Sequence, residues 1–513
     1  MIRYDFSKNP DVILVFMPPF CCDTPPLGIA YLSRYLRSKG ITTSVIDLNR
    51  SCYEMAPQNL RKYWQGDNGR LCPKASVHSI MLKALEQPIT ECVNAICQSK
   101  TKVIGFSFIY ANSLLSVEMA KRIKERSPQK WIVFGGAECS WHEEDRCIPS
   151  CFFGWELADL YPPELVDAFV VGEGEETLLD IIERSKGGGD LDSTPGASSR
   201  AAGYKDFQPR PLIKKLDDIP YPTFEEFDLA LYSQEKLPMI MSRGCIGRCT
   251  FCNDHKIYKI FRSRTAEHIL AEMEHHIKRY GVRQFLLCDL LINGNVRELD
   301  RLCDSIINSG LELVWCGSAI CRKEMTSSLM AKMRRAGCTC ITYGVESFSP
   351  RVLALMNKHE NLEMIRNVLK ATHDAGIRTQ LNIIAGFPGE TEDHLQQTIT
   401  GLRDNRLYID AIGSLATCFV GLGTDLQRNA SRYGIDDASG IDPGDWRTRD
   451  GSNTYKVRVE RVGKVLSVVR ELGLNCEIGN VLEGEMNCGL SRFMSKLKGE
   501  LAKWYKWARY LQS

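Results

Sequence analysis

Short apolar runs alternate with amphipathic stretches along most of this chain, and the alternation starts twice. In the first 185 residues, positions 11–17, 42–48, 103–108, 131–134 and 168–171 are apolar runs of strand length. Residues 28–39, closed by Gly40, and residues 114–125 and 176–183 carry apolar positions at helical spacing. Five strands with crossover helices predict an open, parallel, Rossmann-like sheet, whose ligands lie beyond the carboxyl ends of the strands. A polar, glycine-rich stretch at 186–199 predicts a domain boundary, and residues to 236 read as a connector stiffened by Pro209, Pro211, Pro220 and Pro222. From Leu237 the rhythm restarts and runs six times, with strands predicted at 237–242, 284–288, 313–317, 339–343, 379–385 and 411–419. Gly281, Gly310, Gly337 and Gly376 each stand where a helix should end, as left-handed caps do. Six βα units fall short of a closed eight-stranded barrel and predict a partial (β/α)6 barrel. The expected fold class is α/β: a Rossmann-like domain over 1–185, a connector over 186–236, a partial barrel over 237–420 and a mainly helical, substrate-associated region over 421–513.

Composition changes this picture little. A chain of 513 residues is too long for one ordinary core and suggests two to four domains. With 44% hydrophobic and 25% charged residues it reads as globular, and a net charge of +2 gives no case for nucleic-acid binding. No apolar run is long enough to span a bilayer, and the opening one, between Asp11 and Pro18-Pro19, reads as a strand rather than a secretion signal. Twenty-one irregularly spaced cysteines point to a reducing compartment and a cytoplasmic location. Near the carboxyl end Phe493, Leu497, Leu501, Trp504, Ala508 and Leu511 form a helical stripe. Such a stripe packs on its own protein or, being basic and aromatic-rich, makes peripheral contact with a membrane surface.

The candidate chemistry concentrates directly after the first strand of the second series, in Ser242-Arg243-Gly244-Cys245-Ile246-Gly247-Arg248-Cys249-Thr250-Phe251-Cys252. An iron–sulfur cube takes one thiolate per iron, so three close thiolates with no obvious fourth leave one iron open. A zinc site, with His255 as a fourth ligand, and buried unligated thiols are the alternatives, although zinc prefers paired knuckles that close a tetrahedron. Cys139, Cys147 and Cys151 match no cluster spacing and read as loop thiols.

The Cys-x-x-x-Cys-x-x-Cys pattern with Phe251 before its last cysteine resembles the signature of the radical S-adenosylmethionine (SAM) enzymes. The resemblance implies a 4Fe-4S cluster held by Cys245, Cys249 and Cys252 as metal ligands and catalytic residues. It also implies a SAM that chelates the open iron and is cleaved reductively to a 5'-deoxyadenosyl radical. Gly344-Val345-Glu346-Ser347 and Gly386-Phe387-Pro388-Gly389-Glu390-Thr391, after the fourth and fifth strands, resemble segments that adjoin SAM in that family. By the same resemblance Phe251, Asp289, Arg322, Glu346, Ser347 and Gly386 are candidate SAM contacts. Asp289 sits in a more apolar stretch than is usual, and Glu390 reads equally well as a carboxylate at a helix start.

Residues 12–19, Pro25-Pro26-Leu27-Gly28, Gly135-Gly136-Ala137 and Gly172-Glu173-Gly174-Glu175 together resemble the cobalamin-binding domain of class B radical SAM methyltransferases. That resemblance makes Pro19, Leu27, Gly28, Ser107, Gly135, Gly136, Gly172 and Glu173 candidate cobalamin contacts. The chain departs from many cobalamin domains in having no histidine before His78, so no Asp-x-His-x-x-Gly loop supplies a lower ligand to cobalt. The implied activity is methylation of an unactivated carbon or a phosphinate phosphorus, with cobalt carrying the methyl from one SAM and a second SAM supplying the radical. The alternatives are a cobalamin-assisted cyclisation, rearrangement or oxidation without methyl transfer, and a redox or sensor protein that does not cleave SAM. The implied partners are a small-molecule or peptide substrate and a low-potential electron donor such as flavodoxin or ferredoxin.

Overall fold

Strand β1 (Val12–Phe16) buries all five of its side chains, as a strand covered on both faces must. Val12, Leu14 and Phe16 enter one apolar core while Ile13, Val15 and the following Met17 enter another, the two-residue period made visible. This computed structural model describes residues 6, 9–64, 75–139, 165–199, 207–232, 235–254, 258–421, 423–436 and 446–479.

The amino-terminal unit runs β1, α1 (Leu27–Ser38), β2 (Thr43–Asp47), α2 (Leu48–Met55), α3 (Ala75–Ala84), α4 (Glu86–Gln98), β3 (Val103–Ser107), α5 (Ser113–Arg126), β4 (Trp131–Gly135), β5 (Ala168–Val170), α6 (Gly174–Gly187) and β6 (Ala197–Ser199). Its sheet has the order β2-β1-β3-β4-β5-β6. The pairs from β2 to β5 are parallel and β6 is antiparallel to β5. The stretch expected to be a loose boundary therefore supplies an edge strand. Its sequence Ala-Ser-Ser carries no apolar signal, and only its pairing register makes it a strand.

The second unit starts with β7 (Leu237–Met239), followed by the short antiparallel ribbon of β8 (Ser242–Arg243) and β9 (Arg262–Ser263), which encloses the cysteine loop. It continues through α7 (Ala266–Tyr280), β10 (Gln284–Leu287), α8 (Val296–Ser309), β11 (Val314–Ala319), α9 (Ser327–Arg335), β12 (Cys338–Glu346), α10 (Pro350–Leu355), α11 (Leu362–Asp374), β13 (Arg378–Ala385), α12 (Glu392–Asp404), β14 (Ala411–Thr417), α13 (Asp425–Arg428), α14 (Tyr455–Glu471) and β15 (Asn475–Ile478). Gly281, Gly310, Gly337 and Gly376 all take positive φ just past helices. The sheet order is β15-β14-β13-β12-β11-β10-β7, parallel throughout. It holds seven strands rather than six, because the segment beyond 420 adds α14 and the parallel edge strand β15. With only four residues and half-exposed side chains, β15 lacks the apolar run that marks a central strand. The stripe from Phe493 to Leu511, and Cys147, Cys151 and His255, lie outside the described residues.

The two units share one core. A single apolar cluster runs from Val12, Leu14 and Phe16 through Phe224, Phe227 and Tyr232 of the connector to Leu237, Met239 and the strands of the second sheet. Phe224 is fully buried among His276, Tyr280 and Phe227. Ser33 of α1 donates to Glu226, and Tyr232 donates to Asp47.

Candidate functional site

The cysteine loop is anchored at its root before it turns outward. Asp289, after β10, accepts from the Met241 N–H at 2.8 Å and from the Ser242 hydroxyl. Burial pushes its carboxyl up to about 6 against those hydrogen bonds. Asp289 thus ties the chain leading into the loop to the end of β10. Gly244 takes φ +90°, and a Cβ there would stand 2.7 Å from the Ile260 carbonyl oxygen, so only glycine lets the ribbon close.

Beyond this point all three thiols are half-buried. The Gly247 N–H donates to Cys245 Sγ at 3.2 Å, and the Asp254 N–H points to Cys252 Sγ at 3.4 Å. Burial raises all three thiols, Cys249 to about 11, so without a bound cation they remain protonated at neutral pH. Among the described residues no three His, Cys, Asp or Glu side chains form a site for a single metal ion. Thiols spread around a loop suit a multi-iron cluster, with one thiolate per iron, better than one tetrahedral zinc.

Glu346 ends β12 at a register shift and takes φ +67°, a left-handed conformation that a non-glycine residue adopts only where the surroundings enforce it. It is 9% exposed, and burial lifts its carboxyl to about 7. Lys358, whose side chain is almost wholly covered, donates to the Gly344 carbonyl and lies 3.3 Å from Glu360. Burial lowers the Lys358 ammonium, but Glu346 and Glu360 outweigh this and hold it above its ordinary value. Asn357, the residue before Lys358, donates to the Arg248 carbonyl at 2.7 Å, which ties this segment to the cysteine loop. No motif in the sequence pointed to it.

The remaining expected SAM contacts each have a partner within the protein. Phe251 packs edge-on against Phe387, 6.4 Å between centroids. Arg322 donates to the Asn293 carbonyl at 2.8 Å and lines a cleft with Asn361 and Met364, away from the cysteines. Ser347 is fully buried, paired with the Thr398 hydroxyl at 2.9 Å. Gly386 donates its N–H to Glu390 at 2.6 Å, and Glu390 lies 3.3 Å from Arg461 of α14. Helix α12 is capped by Thr391, so Glu390 braces the turn before it rather than starting it.

At the carboxyl edge of the first sheet lies a cavity of about 290 Å³. Leu27, Gly28, Ser107, Gly135, Gly136, Gly172 and Glu173 all line it, whereas Pro19 does not. Ile240, Arg243, Tyr258 and Cys288 of the second unit close the other side, so the cavity lies between the two sheets. A Cβ at Gly28 or Gly172 would meet nothing within 4 Å. Among the described residues its lining contains no histidine.

One ionic cluster joins this cavity to the cysteine loop. Arg243, two residues before Cys245, lies 2.7 Å from Glu173 and also pairs with Glu175, while Arg262 lies 3.0 Å from Glu173. Arg243 and Arg262 face each other across the β8–β9 ribbon, where like charges would repel without the two glutamates. The glutamates flank the start of α6, whose positive dipole end favours carboxylates. Burial pushes Glu173 up, yet Arg262 and Arg243 outweigh it and hold the carboxyl below the usual range.

Residues 239–401 match the Radical SAM superfamily. The chain carries a radical SAM domain. Such a domain implies a 4Fe-4S cluster and SAM, and Cys245, Cys249 and Cys252 lie within the matched residues. The chain is 28% identical over 303 residues to an uncharacterised methyltransferase of Pyrococcus horikoshii, covering 58% of this chain and 63% of that one. It is 26% identical over 396 residues to the anaerobic magnesium-protoporphyrin IX monomethyl ester cyclase of Rubrivivax gelatinosus, covering 74% and 62%. The alignments thus span less than two thirds of either relative. In fold it resembles the radical SAM methyltransferase TsrM of Kitasatospora setae, solved with cobalamin and a 4Fe-4S cluster bound, at TM-score 0.62 and 13% identity over 89% of this chain and 90% of that one. No helix among the described residues is long and apolar enough to cross a membrane.

Proposed function

We propose that this radical SAM enzyme is a cobalamin-dependent methyltransferase acting on an unactivated carbon or a phosphinate phosphorus. The observation that carries the reading is the glycine-lined cavity at the edge of the first sheet, joined to the cysteine loop by Arg243. When bound, the cluster and SAM supply a 5'-deoxyadenosyl radical, and cobalamin supplies a methyl carrier. Cys245, Cys249 and Cys252 hold the cluster, and the Gly247 N–H stabilises the Cys245 thiolate. Glu346, held in its bulge beside Lys358, offers a carboxylate to SAM's hydroxyls. Gly28 and Gly172 leave room for a projecting group of the larger cofactor, and Leu14, Leu32, Val133 and Leu178 keep water from it. The relative named as a cyclase supports a second reading, ring closure without methyl transfer.

Product analysis separates the two. A methyltransferase converts SAM to both S-adenosylhomocysteine and 5'-deoxyadenosine and adds one methyl to its product, whereas a cyclase makes no S-adenosylhomocysteine. Protein reconstituted with iron, sulfide and hydroxocobalamin is expected to retain corrin absorbance through gel filtration. Its Co(II) paramagnetic resonance should lack nitrogen splitting, since no described residue lining the cavity is a histidine, and a nitrogen pattern would refute that ligand set. Gly28→Phe should abolish corrin retention while leaving the denaturation midpoint within a degree or two, because the new ring enters open space. Full retention of corrin in this variant would place the cofactor elsewhere.

A further inference from the structure

The region beyond residue 420, expected to be substrate-associated, builds a small apolar core of its own. Leu426, Ile435 and Trp446 are buried there with Met356 and Phe387, and Phe251 of the cysteine motif packs against them. Phe251 and Phe387 therefore rest on one support. Hydrogen bonds fix that support at both ends. Leu426 N–H of α13 donates to the Thr250 carbonyl in the cysteine loop at 3.0 Å. Ile435 and Thr448 then form an antiparallel bridge, with Asp436 N–H donating to the Arg447 carbonyl and Arg449 N–H to the Gly434 carbonyl, each at 2.9 Å. At the far end the buried Asn453 donates its side-chain amide to the Gly386 carbonyl at 3.0 Å and to the Phe387 carbonyl at 3.3 Å.

Asn453 is fixed in turn. Its N–H donates to the Thr448 hydroxyl at 2.9 Å and its carbonyl accepts from the Thr448 N–H at 3.0 Å, which closes the loop before α14. Its side-chain oxygen accepts from Arg458 at 3.2 Å. Arg458, fully buried, stacks on Trp446 with 3.7 Å between its guanidinium carbon and the ring centroid, and donates to the Trp446 carbonyl at 3.0 Å. Trp446 donates its ring N–H to the Cys418 carbonyl, just past β14, at 3.1 Å. Gly386 takes φ +79° and lies so close that a Cβ there would overlap the Arg458 side chain. Such a buried polar network costs more than apolar packing of the same volume, and what it secures is the direction of two successive carbonyls. In a planar trans peptide the N–H points opposite to the C=O, so turning the Gly386 carbonyl to Asn453 turns the Phe387 N–H away from it. Phe387 is fully buried, and its N–H meets no acceptor among the described residues. A buried donor left open in this way is a place for a ligand's acceptor atom.

We propose that Asn453, braced by Arg458 and Trp446, is a positioning residue for SAM, setting the Gly386–Phe387 peptide so that its N–H is offered to the cosubstrate. The proposal rests on the reading of Gly386 as a SAM contact and assigns part of that site to the carboxyl-terminal region.

The test uses reconstituted holoenzyme with dithionite as reductant. Asn453→Asp keeps the size and the acceptor for Arg458, which holds the new carboxylate ionised, but it cannot donate to either carbonyl. The KM for SAM in 5'-deoxyadenosine formation is expected to rise about tenfold with kcat within about twofold, and the SAM Kd from equilibrium dialysis should rise in parallel. Iron content should match the parent. In protein without cluster or SAM, amides of residues 384–391 should exchange with deuterium faster than in the parent. Trp446→Phe, which loses only the bond to Cys418, should move KM the same way by about threefold, and it carries the test if Asn453→Asp does not fold. Val465→Ala, on α14 but in the core shared by both units, should lower the denaturation midpoint and leave the SAM KM where it is. Unchanged KM and Kd in the two site variants would overturn the proposal even with faster exchange, since the turn would then be held for stability alone. An equal rise in Val465→Ala would overturn it as well, by marking the effect as general loosening. A parent protein that neither binds nor cleaves SAM would fail the radical SAM reading itself and take the proposal with it.

Discussion

Alanine in place of Cys245, Cys249 or Cys252 should each reduce 5'-deoxyadenosine formation to background and remove the brown absorbance of the reconstituted protein. Three thiolates are the fewest that leave a single iron open, so two leave the cluster short of a ligand as well as a site for SAM. Among the described residues the loop holds no other cysteine to replace a lost thiolate. The measurement is SAM cleavage under dithionite with iron and sulfide counted on the same sample. A single variant that keeps both activity and full iron content would remove the basis of the mechanism. Loss of activity with full iron content would instead mean that the substituted cysteine is not a ligand.

The second large effect is expected at Arg243. Arg243→Ala leaves Glu175 without its cation and Glu173 with Arg262 alone, all in buried surroundings. Removing one member of a buried ionic cluster costs about 3–5 kcal/mol, which should be read as a lowered denaturant midpoint. The triple change Arg243→Met, Glu173→Gln, Glu175→Gln should recover most of that loss, because no charge is then left uncompensated. If the triple variant is no more stable than Arg243→Ala, charge compensation is not what the cluster contributes. Corrin retention should drop in both variants, since Arg243 and Glu173 also line the cavity.

The parts of this molecule that sequence could reveal are those whose signal is local. The apolar run of β1 and the capping glycines after α7 and α8 are each fixed by a few neighbouring residues, and they mark the strands and helix ends where the structure has them. β15 and β6 were not legible, because an edge strand needs pairing partners rather than an apolar run. The cysteine loop was legible from spacing alone. Roles around it were not, because they depend on contacts far apart in the chain. Asp289 reaches back 48 residues to Met241, Arg243 pairs with a glutamate 70 residues earlier, and Ser347 turns to Thr398, 51 residues on. A motif at a strand end identifies a side chain's neighbourhood, and burial then decides whether its polar atoms face a ligand or the protein.

The apolar core shared by both sheets has a consequence for how the chain would come apart. A protease cut within residues 207–232 would nick the backbone without releasing two fragments, since Phe224 and Phe227 are buried with residues from both units. The nicked material would migrate as one particle under native conditions and separate only on denaturation, and neither fragment made alone would be expected to remain dispersed.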